Sequence, residues 1–251
     1  MSLNINNIPE KLKNLKQNKS FYFILLIILI LLATLALVFW PKGPCELNEI
    51  APNATNLQGI DVSNHQGSIK WEQIDKSSIS FVFIKATEGI SYKDNYFDRN
   101  WSEASNNGFL KSAYHFYDVN NDGTKQAEHF IKVVPKEECT LPPVVDIEKV
   151  SDVEQGKVIL EIKEYVTLIE ENYGVKPIIY CNIDTYNYYI KDIFKDYLIW
   201  FPTYNTDAPA ISNWTFWQYT DSGTVKGITG PVDFNKFNGN GEDLLKLAGV
   251  K

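Results

Sequence analysis

The sequence predicts an α/β chain: a modified eight-stranded β/α (TIM-like) barrel with some of its helices missing, preceded by one N-terminal transmembrane helix. Three observations lead there. Residues 21–40 form an uninterrupted apolar run without a charge. Short apolar runs of strand length then recur from residue 57 onward. Helical patterns fill several of the gaps between them but not the last two.

The apolar run matches the length of helix that crosses the hydrocarbon core of a bilayer. Aromatic residues stand at both of its ends, Phe21-Tyr22-Phe23 and Phe39-Trp40, as in an interfacial belt. Lys11, Lys13, Lys16 and Lys19 precede it against Glu10 alone. The positive-inside rule therefore predicts a cytoplasmic N-terminus, a single pass through the lipid bilayer, and an extracytoplasmic body. A cleaved signal peptide is the rival, but its apolar region is ordinarily shorter and followed by a small-residue cleavage site. Here Ala33 and Ala36 fall inside the run, and Trp40-Pro41-Lys42 follows. Lipid attachment at Cys45 has poor context in Gly43-Pro44. The expected organisation is a basic tail at 1–20, an anchor at 21–40, a Pro-, Asn- and Glu-containing linker at 41–56, and a catalytic domain at 57–251.

The formal net charge of −7 hides an asymmetry: residues 1–40 carry +3 (four Lys, one Glu), which leaves −10 on the remainder. An acidic body argues against nucleic acid as a partner, because that needs a basic footprint. Cys45, Cys139 and Cys181 are too few for a disulfide framework, and a bridge between Cys139 and Cys181 stays open. The three histidines are widely separated and no Cys-x-x-Cys occurs, so no metal is expected. Neither a Gly-x-Gly-x-x-Gly fingerprint nor a P-loop is present, so no nucleotide cofactor is expected either.

The candidate strands are 57–62, 80–85, 112–117, 143–147, 177–181, 197–201, 214–218 and one near 232–234. Runs such as Phe81-Val82-Phe83-Ile84 and Ile178-Ile179-Tyr180 are continuous rather than alternating, which suits strands covered on both faces. The clearest helix is 153–173, with Val158, Ile162, Tyr165 and Ile169 at helical spacing and Gly174 and Pro177 to stop it. Weaker helices are expected at 96–107, 124–133, 183–196 and 241–248. The connections at 202–213 and 219–231 are too short or too rich in turn residues for full helices. An open doubly wound sheet is the alternative architecture.

In a barrel of parallel strands, functional groups collect where strands end. The ends are polar here: Asp61-Val62-Ser63-Asn64-His65, Lys85-Ala86-Thr87-Glu88, Tyr114-His115-Phe116, Asp146-Ile147-Glu148, Tyr180-Cys181-Asn182, Trp217-Gln218-Tyr219 and Asp233-Phe234-Asn235. Asp146 and Glu148, two apart on a strand, point to one side and crowd each other. Like charges in one pocket raise a carboxyl pKa, and a carboxyl protonated near neutral pH is what a general acid must be. Each residue also has a plainer reading. A single carboxylate is more often a salt bridge or a helix cap. His115 reads as a hydrogen-bonded core histidine, Tyr180 and Trp217 as barrel filling, Asn64 and His65 as turn formers, and Lys85 as a partner of Glu88 or another acid. No Gly-x-Ser-x-Gly elbow occurs, which disfavours a serine nucleophile.

These motifs carry a resemblance. Gly59-Ile60-Asp61-Val62-Ser63-Asn64-His65-Gln66-Gly67 with Trp71 resembles the opening of the glycoside hydrolase family 25 lysozymes, the Chalaropsis-type N-acetylmuramidases. Phe83-Ile84-Lys85-Ala86-Thr87-Glu88-Gly89, Tyr114-His115-Phe116, Val145-Asp146-Ile147-Glu148, Ile179-Tyr180, Phe216-Trp217-Gln218-Tyr219 and Val232-Asp233-Phe234-Asn235 resemble its later blocks, in order. The resemblance spans roughly 57–240. It implies cleavage of the β-1,4 bond between N-acetylmuramic acid and N-acetylglucosamine in peptidoglycan glycan strands. It implies Glu148 as proton donor, Asp146 and Asp61 in support, and Asp233, Glu88, Tyr114, Tyr180 and Trp217 against the substrate. A retaining, substrate-assisted route is favoured over a carboxylate nucleophile or an inverting base, an exception to the usual two-carboxylate scheme. Action on chitin-like polymers, or a noncatalytic glycan-binding scaffold on the same barrel, are the alternatives.

Overall fold

In the computed structural model, residues 22–29 and 50–250 are described. The chain divides into two compact units, Met1–Pro44 and Cys45–Lys251. In the first, residues 22–29 are helical with exposed side chains. The rest of the expected anchor at 21–40 lies outside the described residues. Among the described residues no helix is long and apolar enough to cross a membrane.

The second unit is built on strands β1 (Gln58–Val62), β2 (Phe81–Glu88), β3 (Tyr92–Lys93), β4 (Leu110–Phe116), β5 (Val144–Ile147), β6 (Ile178–Cys181), β7 (Ile199–Pro202), β8 (Phe216–Gly223) and β9 (Val232–Phe237). Their order is β1-β9-β8-β7-β6-β5-β4-β2-β3, and a further β1–β2 pairing closes the sheet into a barrel. Closure rules out the open doubly wound alternative. The two-residue β3 stands outside the ring as a hairpin partner of β2. Pairings from β1 through β2 to β8 are parallel, whereas β9 is antiparallel to both β8 and β1. This corrects one expectation: Asp233 lies near the start of its strand, and the reversed direction is what brings it level with Asp61.

Helices α1 (Phe97–Asn106), α2 (Gly123–Val133), α3 (Gln155–Tyr173), α4 (Ile183–Thr185) and α5 (Gly241–Leu247) fall where helical patterns were read. In α3 the expected stripe of Val158, Ile162, Tyr165 and Ile169 is buried, and the helix ends at Gly174 in the left-handed region (φ 80°). The expected helix at 183–196 differs. It begins as the single turn α4, continues as a π-helix over Tyr186–Ile190, and gives way to turns. The connections β7–β8 and β8–β9 hold no helix. Residues 50–56, expected as linker, dock on the domain: the amides of Gly241 and Glu242 donate to the carbonyls of Ala54 and Pro52, each at 2.9 Å.

Alternation along the strands separates two cores. One set, including Val82, Ile84, Val145, Ile147 and Ile179, faces the helices. The other, including Phe81, Phe83, Val144, Tyr180, Trp200 and Phe216, fills the barrel. Gly59 belongs to the second surface: a Cβ there would lie 2.4 Å from the Phe81 ring, so the missing side chain makes the space that ring occupies. Burying two apolar layers of this kind stabilises the unit by about 25 cal/mol per Å² removed from water. Cys181 is a free, buried thiol, whereas Cys139 is disulfide-bonded, so these two cysteines do not pair with each other.

Candidate active site

The barrel-filling layer sets the floor of the site. Phe83 stacks on Trp200 (ring centroids 4.3 Å apart) and meets Phe216 edge-on at 5.1 Å. Above it, the next inward positions of several strands turn polar and surround a cavity of about 290 Å³. Asp61 from β1, Lys85 from β2, Tyr114 and Phe116 from β4, and Asp146 from β5 line one side. Tyr180, Trp200, Gln218 and Asp233, from β6 to β9, line the other, and Glu148, Ser63, His65 and Tyr204 come from the loops at the rim. Register explains the convergence: Phe116, Asp146, Tyr180 and Trp200 are neighbours across β4, β5, β6 and β7.

Two carboxyl pairs dominate the chemistry. Asp146 is 6% exposed, while Glu148, just past the end of β5, is exposed at the rim. Burial raises the Asp146 pKa well above the ordinary carboxylate range, the charge of Glu148 raises it further, and Lys85 opposes both. Glu148 is raised as well, first because the cleft walls strip it of water. A hydrogen bond from Asp146 and the cations Lys149 and Lys85 pull it back. The two carboxyls thus act on each other's protonation. Asp146 Oδ1 is buried with no hydrogen-bond partner among the described residues.

The second pair is Asp61 and Asp233, which face each other across β1 and β9. Burial, then the charge of Asp233, raises Asp61 well above the ordinary range, against the pull of donors from Asn235 and Gln218. Asp233 is raised by burial, and its hydrogen bond with Asp61 counteracts this. Asp61 Oδ2 accepts from Gln218 Nε2 at 3.0 Å and from Asn235 Nδ2 at 2.8 Å. The Asn235 amide is oriented by a donor that cannot reverse, and the Gln218 amide oxygen is met by two hydroxyls. Tyr180 and Tyr204 hydroxyls donate to Gln218 Oε1 at 2.9 and 2.6 Å, and the Trp200 indole donates to Asn235 Oδ1 at 2.8 Å.

Of the residues singled out in the sequence, Glu148, Asp146, Asp61, Asp233, Tyr114 and Tyr180 line this cavity. Glu88 and Trp217 do not. Glu88, at the far end of β2, forms an ion pair with Lys85 at 2.8 Å. Trp217 is one residue out of phase with the inward Phe216 and Gln218, so it faces outward, where its indole donates to the Thr203 carbonyl at 2.8 Å. Trp200 and Tyr204 were missed. Trp200 sits in an apolar run whose inward parity becomes visible only through its register with Tyr180, and Tyr204 lies in a loop. His115 is fully buried on the helix-facing side. Its Nδ1 pairs with Thr87 Oγ1 at 2.7 Å, its Nε2 with Gln126 Oε1 at 3.2 Å, and its ring stacks on Tyr165 at 5.2 Å. Burial lowers its pKa to about 3, so it is a neutral core residue.

Comparison with known proteins agrees with this geometry. Residues 60–228 match the family described as Glycosyl hydrolases family 25. Lysozyme M1 of Streptomyces globisporus is 34% identical over 223 residues, covering 82% of this chain and 76% of that protein. The protein YegX of Escherichia coli strain K12 is 36% identical over 208 residues, covering 80% and 76%. The crystal structure of a bacterial lysozyme from Streptomyces coelicolor superposes with a TM-score of 0.72 at 34% identity, covering 77% of this chain and 97% of that one.

Proposed function

The chain belongs to glycosyl hydrolases family 25 and is a muramidase-type glycoside hydrolase; on that footing we propose that Glu148 and Asp146 cleave the β-1,4 bond between N-acetylmuramic acid and N-acetylglucosamine in peptidoglycan, with retention. The observation that carries this reading is the carboxyl pair at the end of β5, one member buried and one at the rim, both raised above the ordinary carboxylate range.

In the resting site the shared proton favours the more buried Asp146, whose hydrogen bond lowers Glu148. When a muramyl unit enters, Asp146 turns to its acetamido N–H and that restraint on Glu148 is lifted. Glu148 then carries the proton and gives it to the glycosidic oxygen as the bond to the anomeric carbon breaks. The acetamido oxygen of the same sugar attacks that carbon from the opposite side, forming a cyclic oxazolinium. Glu148, now a carboxylate, takes a proton from water, which opens the ring and restores the original anomer. Substrate-assisted families depart in this way from the two-carboxylate scheme. Asp61 and Asp233 line the same cavity, and Tyr114, Tyr180 and Trp200 supply its aromatic lining. The proton NMR spectrum of the first product tests retention: the β-anomer must precede its mutarotation. A thiazoline analogue of the cyclised sugar must also inhibit.

Residues 21–40 would anchor the enzyme with its body outside the membrane, next to its polymer, and raise its effective concentration there. This suits local remodelling of the wall. A body lacking residues 1–40 that restored a deletion strain fully would remove the basis for tethering.

A further inference from the structure

We propose that Lys85 is the specificity-determining residue that distinguishes a muramyl from a glucosaminyl unit, by binding the acyl oxygens of the lactyl group. The inference rests on the muramidase reading and deepens it. N-acetylmuramic acid differs from N-acetylglucosamine only by a lactyl ether on O3, which ends in a carboxylate or, where a peptide is attached, in an amide carbonyl. Either end presents acceptor oxygens and needs a donor, preferably a cation.

The cavity supplies one. It is lined by four carboxyl residues, Asp61, Asp146, Glu148 and Asp233, which as a set disfavour an acidic substituent. Among the described residues that line it, Lys85 is the one lysine and none is an arginine. Its side chain is only 12% exposed and lies beneath the rim, with Nζ 5.0 Å from the centroid of the Phe116 ring and 5.8 Å from that of Tyr92. The ammonium has three N–H donors, and its hydrogen bond to Glu88 Oε2 at 2.8 Å uses one. Glu88 is 45% exposed and approaches from outside the cavity lining, so it fixes the ammonium and leaves its cavity side available. Lys85 also acts on the charge of both Asp146 and Glu148, which places it within electrostatic reach of the bond to be broken. A lactyl group held there sits on the sugar whose anomeric carbon reacts. Recognition of this group and choice of bond then become one event.

The test is calorimetric titration of the full chain carrying Glu148→Gln, which stops turnover, with three disaccharides: N-acetylglucosaminyl-N-acetylmuramic acid, its lactyl methylamide, and di-N-acetylchitobiose. We expect both muramyl ligands to bind more tightly than chitobiose. Adding Lys85→Met removes that preference, a change of about tenfold, as for loss of a charge-assisted hydrogen bond. Adding Lys85→Arg retains it in part. Loss of affinity for the free acid alone assigns the effect to charge; loss for both forms assigns it to the hydrogen bond. An unchanged ratio of affinities in Lys85→Met, or no preference in the parent, overturns the proposal. Failure of the underlying reading shows separately, as a chain with Glu148 intact that releases no muramic-acid reducing ends from peptidoglycan.

Discussion

Asn182 Nδ2 donates to the main-chain carbonyl of Glu148 at 2.7 Å, tying the residue after β6 to the proposed proton donor after β5. The same side chain caps α4: its Oδ1 accepts from the amides of Asp184 and Thr185 at 3.1 and 3.0 Å. Thr185 Oγ1 donates in turn to the carbonyl of Ile147 at 2.7 Å. The last carbonyls of the β5 segment are thus held by one turn of the neighbouring strand's loop.

Asn182→Asp keeps the capping oxygen and loses the donor. The expected result is a fall in kcat of about tenfold with a smaller change in KM, as positioning of an acid is lost. Melting temperature should change little, whereas Asn182→Ala also removes the cap, at about 1 kcal/mol. The added negative charge beside Glu148 should shift the alkaline limb of the kcat profile upward. Steady-state kinetics across pH and thermal melts of both variants check this.

Glu148 must be protonated to donate, and its pKa is raised. Activity is therefore retained above the ordinary carboxylate range and is lost as pH rises through the raised value. Replacing the carboxyl by an amide with Asp146→Asn keeps a donor toward Glu148 but removes the titratable proton and charge, which should move that limb and cut kcat by about 10²-fold or more. Coincident limbs in the two proteins would contradict the shared-proton account.

Stability and activity should respond in opposite directions to Asp146→Asn. A buried carboxyl with a raised folded pKa contributes stability that is fully present below its unfolded pKa and is lost as pH rises through the folded value. Asp146→Asn, nearly isosteric, should therefore melt higher than the wild type at pH 7. The gap should shrink toward pH 4. His115 works the other way: its folded pKa is near 3, so its contribution is present above its unfolded pKa and is lost as pH falls toward 3. Paired melts at pH 4 and 7 measure both.

His115→Phe and Thr87→Val each break a buried pair on the helix-facing side of the barrel. Leaving a buried polar partner unsatisfied costs about 1–3 kcal/mol. Each variant should lose stability in urea by that order while kcat, measured where the protein is folded, stays within about twofold, because neither residue lines the cavity.

Sequence and structure agree where a local pattern carries the information. The buried stripe of α3, the stop at Gly174 and the strand positions follow from periodicity and turn chemistry. Asp146 and Glu148 were legible because their spacing is local. What was not legible depends on register. Nothing in Ile199-Trp200-Phe201 tells which ring faces inward until β7 is paired with β6, and the same parity turns Trp217 out and Gln218 in. The direction of β9 is a topological fact, so Asp233 was read as a strand end when it begins one. An amide such as Gln218 signals no chemistry by itself; its role comes from Tyr180, Tyr204 and Asp61 around it.

In the proposed mechanism Glu148 protonates a muramyl glycosidic bond. The most direct test of this step is digestion of purified peptidoglycan by the full chain and by its Glu148→Gln variant, with product masses determined after borohydride reduction. The account predicts soluble fragments ending in reduced muramic acid from the wild type. It predicts at most about one hundredth of that rate from a variant with an unchanged melting curve. Fragments ending in reduced glucosamine, or equal release by the two proteins, would contradict it.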